Sequence, residues 1–241
     1  MNDNINKFLE LYNVLDDELR KYFNDESRTY SAISRYITKL NNSPLESNKN
    51  KGETLDMIRV LRNNLVHELD MNSKQLISIN NQTIEFLQKE IEIFLNPLKV
   101  KDICTKIDKI VFATLDDKIS ALTSLMYTKG YTQLPILNDD GSVFGVFSPN
   151  CIYGYIAKNG GEINKNLLLK QLVEFLPLEN HVSEYYLCVS ENVSANDILE
   201  KFDQYYNSGK RLQMAFVTEG GKRNGKLIGI IVIQDLLKIR I

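Results

Sequence analysis

The spacing of apolar residues changes at Pro97, and this change divides the chain into two parts with different folds. Before Pro97, apolar residues recur at steps of three and four, which is the spacing of amphipathic helices. After it, short β-rich runs alternate with helical stretches, which is typical of an α/β domain. The 241 residues therefore predict an α + α/β fold with two domains, a helical one over 1–96 and an α/β one over 99–241.

The first part is predicted to be an antiparallel bundle of four helices. The segment over 41–52 (NNSPLESNKNKG) is rich in polar residues and turn formers, so we expect it to be a loop before the third helix. Short connections between helices favour antiparallel neighbours. The predicted helices cover about 4–23, 27–40, from Glu53 through Leu69, and 73–95.

Composition and charge exclude several classes of protein. Hydrophobic residues make up 43% of the chain, which excludes disorder throughout, and the longest apolar runs are far short of the roughly 20 residues that span a bilayer. No secretion signal opens the chain, so we expect a soluble, cytoplasmic protein without a membrane partner. Three cysteines without a CxxC pair predict neither a disulfide framework nor a metal site.

The charge is nearly balanced along the chain. Residues 1–98 hold 12 basic and 15 acidic residues, a net charge of −3, and the remaining residues have a net charge of +1. Proteins that bind nucleic acid broadly through phosphates carry a basic surface instead. A small site that places one or two cations against one phosphodiester stays possible.

The α/β part repeats one pattern of helix, glycine, strand, turn, strand and helix, with copies at about 99–160 and 185–241. The first copy carries Gly130-Tyr131-Thr132-Gln133-Leu134-Pro135-Ile136-Leu137 and then Gly145-Val146-Phe147-Ser148. This pattern resembles a tandem pair of CBS domains, and Ala215 of the second copy is aligned with Pro135. The resemblance implies that an adenine nucleotide or a related adenosine ligand binds between the copies.

The CBS resemblance also implies which residues bind that ligand. In the family a hydroxyl residue follows the second strand, and an aspartate three positions later holds the ribose. Here the copies divide the pair, because Ser148 is followed by Cys151 and Asp235 is preceded by Val232. A thiol is a weak hydrogen-bonding partner, so Asp235 is the predicted ribose ligand, with Thr132, Gln133, Pro135 and Ser148 completing the nucleotide site.

Structural roles for these residues stay open. Ser148 and Pro149 together form a typical helix start, with the serine as N-cap and the proline at the first helical position. The negative charge of Asp235 also stabilises the N-terminus of the last helix. His181 lies in a polar connection between the copies and is expected to be solvated.

Arg62, Asn63 and His67 lie on the third predicted helix. Asn63 and His67 are one turn apart on the same face, and Arg62 lies on the neighbouring strip. Histidine exchanges a proton near neutral pH, and arginine holds a phosphate with its planar fork. The three residues are therefore suited to RNA cleavage without a metal.

Within a four-helix bundle this motif resembles the HEPN family, many of whose members are RNases that act as dimers. The resemblance covers about 1–96. It implies that His67 is the general acid or base, that Arg62 stabilises the phosphate, and that Asn63 orients the histidine or the phosphate. It also implies a homodimer with RNA as substrate and no cofactor for catalysis. Alternatively, Arg62 and His67 pair with Asp56, Glu68 or a partner helix as a structural cluster.

Two functions are consistent with the sequence. The first is a metal-independent endoribonuclease regulated by a CBS pair that senses an adenine nucleotide. The second is a non-catalytic, dimeric adaptor that senses a nucleotide and uses its helical domain for protein interaction. An intact motif that lines an open cleft at an interface would favour the enzyme, and burial of His67 in a saturated hydrogen-bond cluster would favour the adaptor.

Overall fold

A computed structural model describes residues 3–26, 31–43, 46–68, 77–160, 164 and 166–237. The chain divides into two compact units, Met1–Pro97 and Leu98–Ile241. The first unit is helical and the second contains both helices and strands.

The helical unit is built around one apolar core. Helix α1 packs against α2 and α4, and α2 packs against α3. Each helix contributes fully buried residues to the core, among them Phe8, Ile33, Leu55 and Leu87. The helices are α1 (Asp3–Phe23), α2 (Ala32–Asn41), α3 (Glu46–Asn63) and α4 (Asn81–Leu95), and a π-helical turn (Asn64–Glu68) continues α3.

Helix α3 begins at Glu46, so the loop predicted over 41–52 is wrong for its second half. Lys51 Nζ lies 3.1 Å from Glu90 Oε1 of α4, and the two side chains are only 11% and 5% exposed. Gly52 faces the end of α2, where a Cβ atom would overlap the side chain of Asn41. The polar composition of 46–52 favours a turn, but tertiary contacts hold this segment in a helix.

Helix α4 is shorter than predicted. It begins at Asn81, because Asn80 is its N-cap and accepts a hydrogen bond from the Thr83 amide at 2.8 Å. Ile77, which falls within the predicted helix over 73–95, precedes the observed helix. The predicted positions 27–30 and 69–76 lie outside the described residues.

The second unit contains two sheets. In the larger sheet the strand order is β1-β6-β5-β4; β4 and β5 are parallel, and the other neighbours are antiparallel. The smaller sheet pairs β2 with β3. The strands are β1 (Thr105–Lys106), β2 (Leu134–Leu137), β3 (Val143–Phe147), β4 (Tyr185–Ser190), β5 (Leu212–Thr218) and β6 (Leu227–Ile231). The helices are α5 (Val100–Ile103), α6 (Ile119–Lys129), α7 (Pro149–Asn159), α8 (Ala195–Asn207) and α9 (Ile233–Leu237), with short 3₁₀ turns between several elements.

The two strand pairs of this unit have equivalent registers. Ile136 pairs with Gly145 in the first copy, and Val217 pairs with Gly229 in the second. Counting from these pairs, Phe216 is the counterpart of Pro135. The sequence alignment of Ala215 with Pro135 is therefore wrong by one residue, because apolar strand residues look alike without their partners.

Each copy packs against a segment of the chain that lies outside that copy. The amide of Ile119, at the start of α6, donates to the carbonyl of Leu167, and the amide of Ala195, at the start of α8, donates to the carbonyl of Leu98. The segment after the first copy thus packs on that copy as the segment around Leu98 packs on the second. The two copies form one folded unit for this reason.

The buried pair in the helical unit gives a stability prediction. Changing Lys51 to Met should destabilise the folded chain by about 3–5 kcal/mol, because the carboxylate of Glu90 is left buried without its cation. Burial already raises the pKa of Glu90, an effect that Lys51 opposes. A carboxyl whose pKa is raised by folding favours the folded state while it is protonated and opposes it once it ionises at higher pH. Lys51→Met should therefore lower the free energy of unfolding less at about pH 4 than at neutral pH. Urea unfolding followed by circular dichroism measures both values.

The matched control lies on the same helix. Arg59 pairs with Asp56 where the two side chains are 32% and 49% exposed, so Arg59→Met should cost less than about 1 kcal/mol. Equal losses for the two variants would contradict the buried position of the Lys51–Glu90 pair.

Candidate functional site

The π-helical turn over Asn64–Glu68 determines how Arg62 and His67 face each other. Hydrogen bonds in a π-helix join residues five positions apart, and such turns occur often at functional sites. Arg62 and His67 have this spacing, and Arg62 Nη1 lies 3.5 Å from His67 Nε2. The same Nη1 donates to Asn63 Oδ1 at 3.2 Å. The structure therefore brings the three predicted residues together, with His67 beside Arg62 rather than one α-helical turn from Asn63.

Arg62 is anchored on α1. Its guanidinium lies over the ring of Tyr12, 5.4 Å from the ring centre, and its Nε is buried without a hydrogen-bond partner. Burial raises the pKa of Tyr12, and the charge of Arg62 opposes this effect. The ion pair described for Asp56 is with Arg59, at 2.7 Å, rather than with Arg62. One edge of the guanidinium is thus held by the bundle while Nη1 faces His67.

The motif lies on an accessible surface with apolar neighbours. His67 is exposed, and Arg62 and Asn63 are half-buried. Met57, Val60 and Val66 on the same helix and turn are exposed to between 41% and 66%. An imidazole and a guanidinium are therefore presented together on a helix that also carries exposed apolar side chains.

A second cluster of polar side chains is buried in the first CBS-like copy. Ser148 is fully buried, and its hydroxyl donates to Glu184 Oε2 at 2.6 Å. His181 Nδ1 lies 3.0 Å from the same oxygen, and its Nε2 lies 3.3 Å from the Leu176 carbonyl. The side chain of His181 is 1% exposed, so the expectation that it is solvated is wrong. The carboxylate of Glu184 draws the ring into the interior.

Glu184 is ionised at neutral pH in this cluster. Burial alone would raise its pKa, but hydrogen bonds from His181, Ser148 and Gln133 outweigh burial and hold the pKa below its usual range. Tyr186 also donates to the carboxylate, at 3.5 Å. Burial, with the charge of Glu184, raises the pKa of Tyr186, so the phenol keeps its proton.

The sequence did not indicate Glu184. The available signal was the spacing of His181 and Glu184, three residues apart, directly before the apolar strand β4. That spacing also fits an exposed turn. Only the packing of this segment on Ser148 distinguishes the two interpretations.

Of the nucleotide residues predicted in the first copy, Ser148 and Gln133 contact Glu184 of this cluster. Pro135 is buried, Gln133 is half-buried beside Glu184, and Thr132 is exposed and donates to Gln133 Oε1. Ser148 is the N-cap of α7, but its hydroxyl makes no capping hydrogen bond. The hydroxyl bonds to Glu184 instead, so the capping alternative holds for the backbone position and not for the side chain.

Asp235 lies in the second copy, at the start of α9. Its Oδ2 accepts a hydrogen bond from the Val232 amide at 3.1 Å, which is the contact of a third helical residue with the N-cap. This geometry accords with the structural alternative for Asp235. Asp235 also lies near Cys104, where burial and, to a smaller extent, this carboxylate raise the pKa of the thiol.

The described residues contain neither a metal-binding cluster nor a helix that could span a membrane. Within these ranges no group of three or more His, Cys, Asp or Glu side chains is placed to hold a metal ion. Among the helices described in full or in part, none has the length and apolarity to cross a membrane.

Comparison with known proteins identifies one family. The CBS domain model matches residues 100–158. No curated protein matches the chain.

Several solved structures are similar to part of the chain. A crystal structure of CBSX2 in complex with AMP is 17% identical, covers 58% of this chain and 94% of its own, and has a TM-score of 0.41. A CBS-domain containing protein from Agrobacterium tumefaciens is 20% identical, with coverages of 59% and 98% and a TM-score of 0.40. The CBS domain of a bacterial CNNM/CorC family Mg²⁺ transporter in complex with ATP is 18% identical, with coverages of 58% and 85% and a TM-score of 0.40.

Proposed function

We propose that this chain is a cytoplasmic, metal-independent endoribonuclease of the HEPN type, regulated by an adenosine-containing ligand in its CBS region. The observation that supports the activity is the exposed pair of Arg62 Nη1 and His67 Nε2, 3.5 Å apart. A cation and a proton carrier at this separation can both reach one phosphodiester.

The chemistry requires no group beyond the motif and its copy. His67 takes the proton from a ribose 2′-hydroxyl, whose oxygen then attacks the adjacent phosphorus. The bond from phosphorus to the 5′-oxygen breaks, and the motif of a second protomer supplies the proton to that oxygen. Arg62 stabilises the charge that develops on the phosphate, and Asn63 orients Arg62 through the 3.2 Å hydrogen bond. The products are a 2′,3′-cyclic phosphate and a free 5′-hydroxyl.

Regulation is proposed from the CBS match over 100–158 and from the residues after each second strand. Asp235 would hold ribose hydroxyls, which a carboxylate accepts well. Thr132, Gln133, Pro135 and Ser148 are the residues of the first copy that the same hypothesis assigns to the nucleotide.

A non-catalytic adaptor is the second candidate. The observation that favours it is the anchoring of Arg62 on the ring of Tyr12, with its Nε buried. An arginine that ties α3 to α1 has a structural role without any substrate. In that case the exposed apolar residues beside the motif would bind a protein partner, and the CBS region would report a nucleotide to it.

The proposed mechanism predicts a two-fold homodimer. Two motifs must meet to supply both proton transfers, and Met57, Val60 and Val66 provide apolar surface beside them. Light scattering at tens of micromolar should give twice the 27.7 kDa chain mass, and Met57→Asp with Val60→Asp should give the monomer. A wild-type chain that is monomeric under these conditions contradicts the composite site.

Catalysis is predicted to depend on both charged residues of the motif. His67→Ala should lose about 100-fold or more in the rate of RNA cleavage, since general acid–base catalysis contributes about that factor. Arg62→Ala should lose about 100- to 1,000-fold, and the two losses should not multiply, because the residues act as one unit. Single-turnover cleavage of a labelled oligonucleotide, with and without EDTA, measures these rates.

Arg59→Ala is the matched control, because it removes a cation from the same helix outside the motif. Its cleavage rate should stay close to that of the wild type. Cleavage that survives His67→Ala, or that EDTA abolishes, would contradict the mechanism and favour the adaptor.

Nucleotide binding is predicted to depend on Asp235. Asp235→Ala should weaken the binding of an adenine nucleotide by about 1.5–3 kcal/mol, the contribution of a hydrogen bond to a charged group. Asp235→Asn keeps an oxygen for the Val232 amide, so it separates ribose binding from the capping of α9. Isothermal titration with AMP, ADP and ATP measures the affinities, and equal values in wild type and both variants would place the ribose elsewhere.

A further inference from the structure

The two copies use equivalent positions differently. Ser148 and Val232 each follow the paired glycine of their copy, Gly145 or Gly229, by three residues. In the first copy, the hydroxyl at this position is already bonded inside the chain, to the carboxylate of Glu184 at 2.6 Å. In the second copy, the side chain at this position is apolar and forms no such bond.

Glu184 lies outside α7, the helix that carries the position where the family has its aspartate. It lies directly before β4, and its Oε2 lies within hydrogen-bond distance of Ser148, His181 and Tyr186. Cys151, at the aspartate position, has its Sγ only 3.7 Å from Ser148 Oγ. The chain thus supplies its own carboxylate at the place where Ser148 would meet a ligand.

This carboxylate is not open to a ligand. Glu184 is 6% exposed and Ser148 is fully buried, so a ligand must displace Glu184 to reach the hydroxyl. Displacement would leave the donors of Ser148, His181 and Tyr186 to be satisfied by the ligand. A phosphate near the ionised Glu184 would also meet a like charge at low effective dielectric.

We propose that Glu184 is an internal occupant of the first ligand position, so that each chain binds at most one adenosine ligand, in the second copy. The proposal rests on the proposed nucleotide binding, which it deepens. It replaces the nucleotide role given above to Ser148 and Gln133 with a structural one, because both side chains, with His181, are donors that hold Glu184. A sensor of this kind has one binding transition per chain and no cooperativity between its two copies.

The experiment combines stoichiometry with a reporter inside the pocket. Titration calorimetry with AMP gives the number of ligands per chain and the affinity for the wild type and for Asp235→Ala. The chain has two histidines, so ¹⁵N spectra of the imidazole rings, with His67→Ala for assignment, follow His181 alone. Glu174→Gln, a change in the same segment at an exposed side chain that pairs with Lys158, is the matched control for Glu184→Gln.

The expected result is one AMP per wild-type chain, bound about 10- to 150-fold more weakly by Asp235→Ala. The His181 ring nitrogens should not shift at saturating AMP. Two AMP molecules per wild-type chain, or a shift of the His181 nitrogens in the wild type at saturation, would overturn the proposal. The wild-type spectrum gives this answer even if Asp235→Ala fails to fold.

A wild-type chain that binds no adenine nucleotide would refute the proposed nucleotide function instead. Whether Glu184 occupies the first ligand position is then tested without a ligand. Glu184→Gln should shift the His181 nitrogens while Glu174→Gln leaves them unchanged. Equal spectra for the two variants would show that Glu184 does not hold His181, and the proposal would fail independently of any nucleotide.

Discussion

The close approach of two backbones at a glycine of each copy is the constraint on which the second unit depends. A Cβ atom at Gly145 would overlap the backbone of Leu176, and one at Gly229 would overlap the carbonyl of Thr105. The carbonyl of Leu176 accepts a hydrogen bond from the Val146 amide at 2.9 Å, and Thr105 pairs with Ile230 in the sheet. Each strand pair is therefore completed by chain from outside its own copy.

This constraint also explains the polar cluster. Because Leu176 is fixed on β3, the residues that follow it must pass the end of that strand, where Ser148 begins α7. His181 and Glu184 lie on this path, and the Leu176 carbonyl itself meets His181 Nε2. The packing that joins the two copies thus brings a carboxylate to the position where a ligand was predicted.

Sequence reasoning succeeded where one element carries its own pattern. Helix α1 and the strand, turn and strand of each copy were predicted closely, since the spacing of their buried residues needs no partner to be recognised. It failed for the start of α3 and for the environment of His181. In both cases a charged or polar residue is buried by a partner distant in sequence, Glu90 for Lys51 and Ser148 for Glu184. Composition assigns such residues to the surface, because the usual cost of burying a charge exceeds any local preference unless a partner is present.

The candidate catalytic motif shows how one extra residue per turn changes a surface. In a regular α-helix, residues five apart are displaced around the axis, and Asn63 rather than Arg62 would stand below His67. The π-helical turn instead sets His67 beside Arg62, whose guanidinium is already held by the ring of Tyr12. A cation fixed before substrate arrives costs little reorganisation when charge develops on a phosphate, and this is the condition for strong electrostatic catalysis. The anchoring that favours a structural role for Arg62 therefore also meets a requirement of the proposed enzyme. The exposure of His67 is the feature that distinguishes the proposed enzyme from the adaptor.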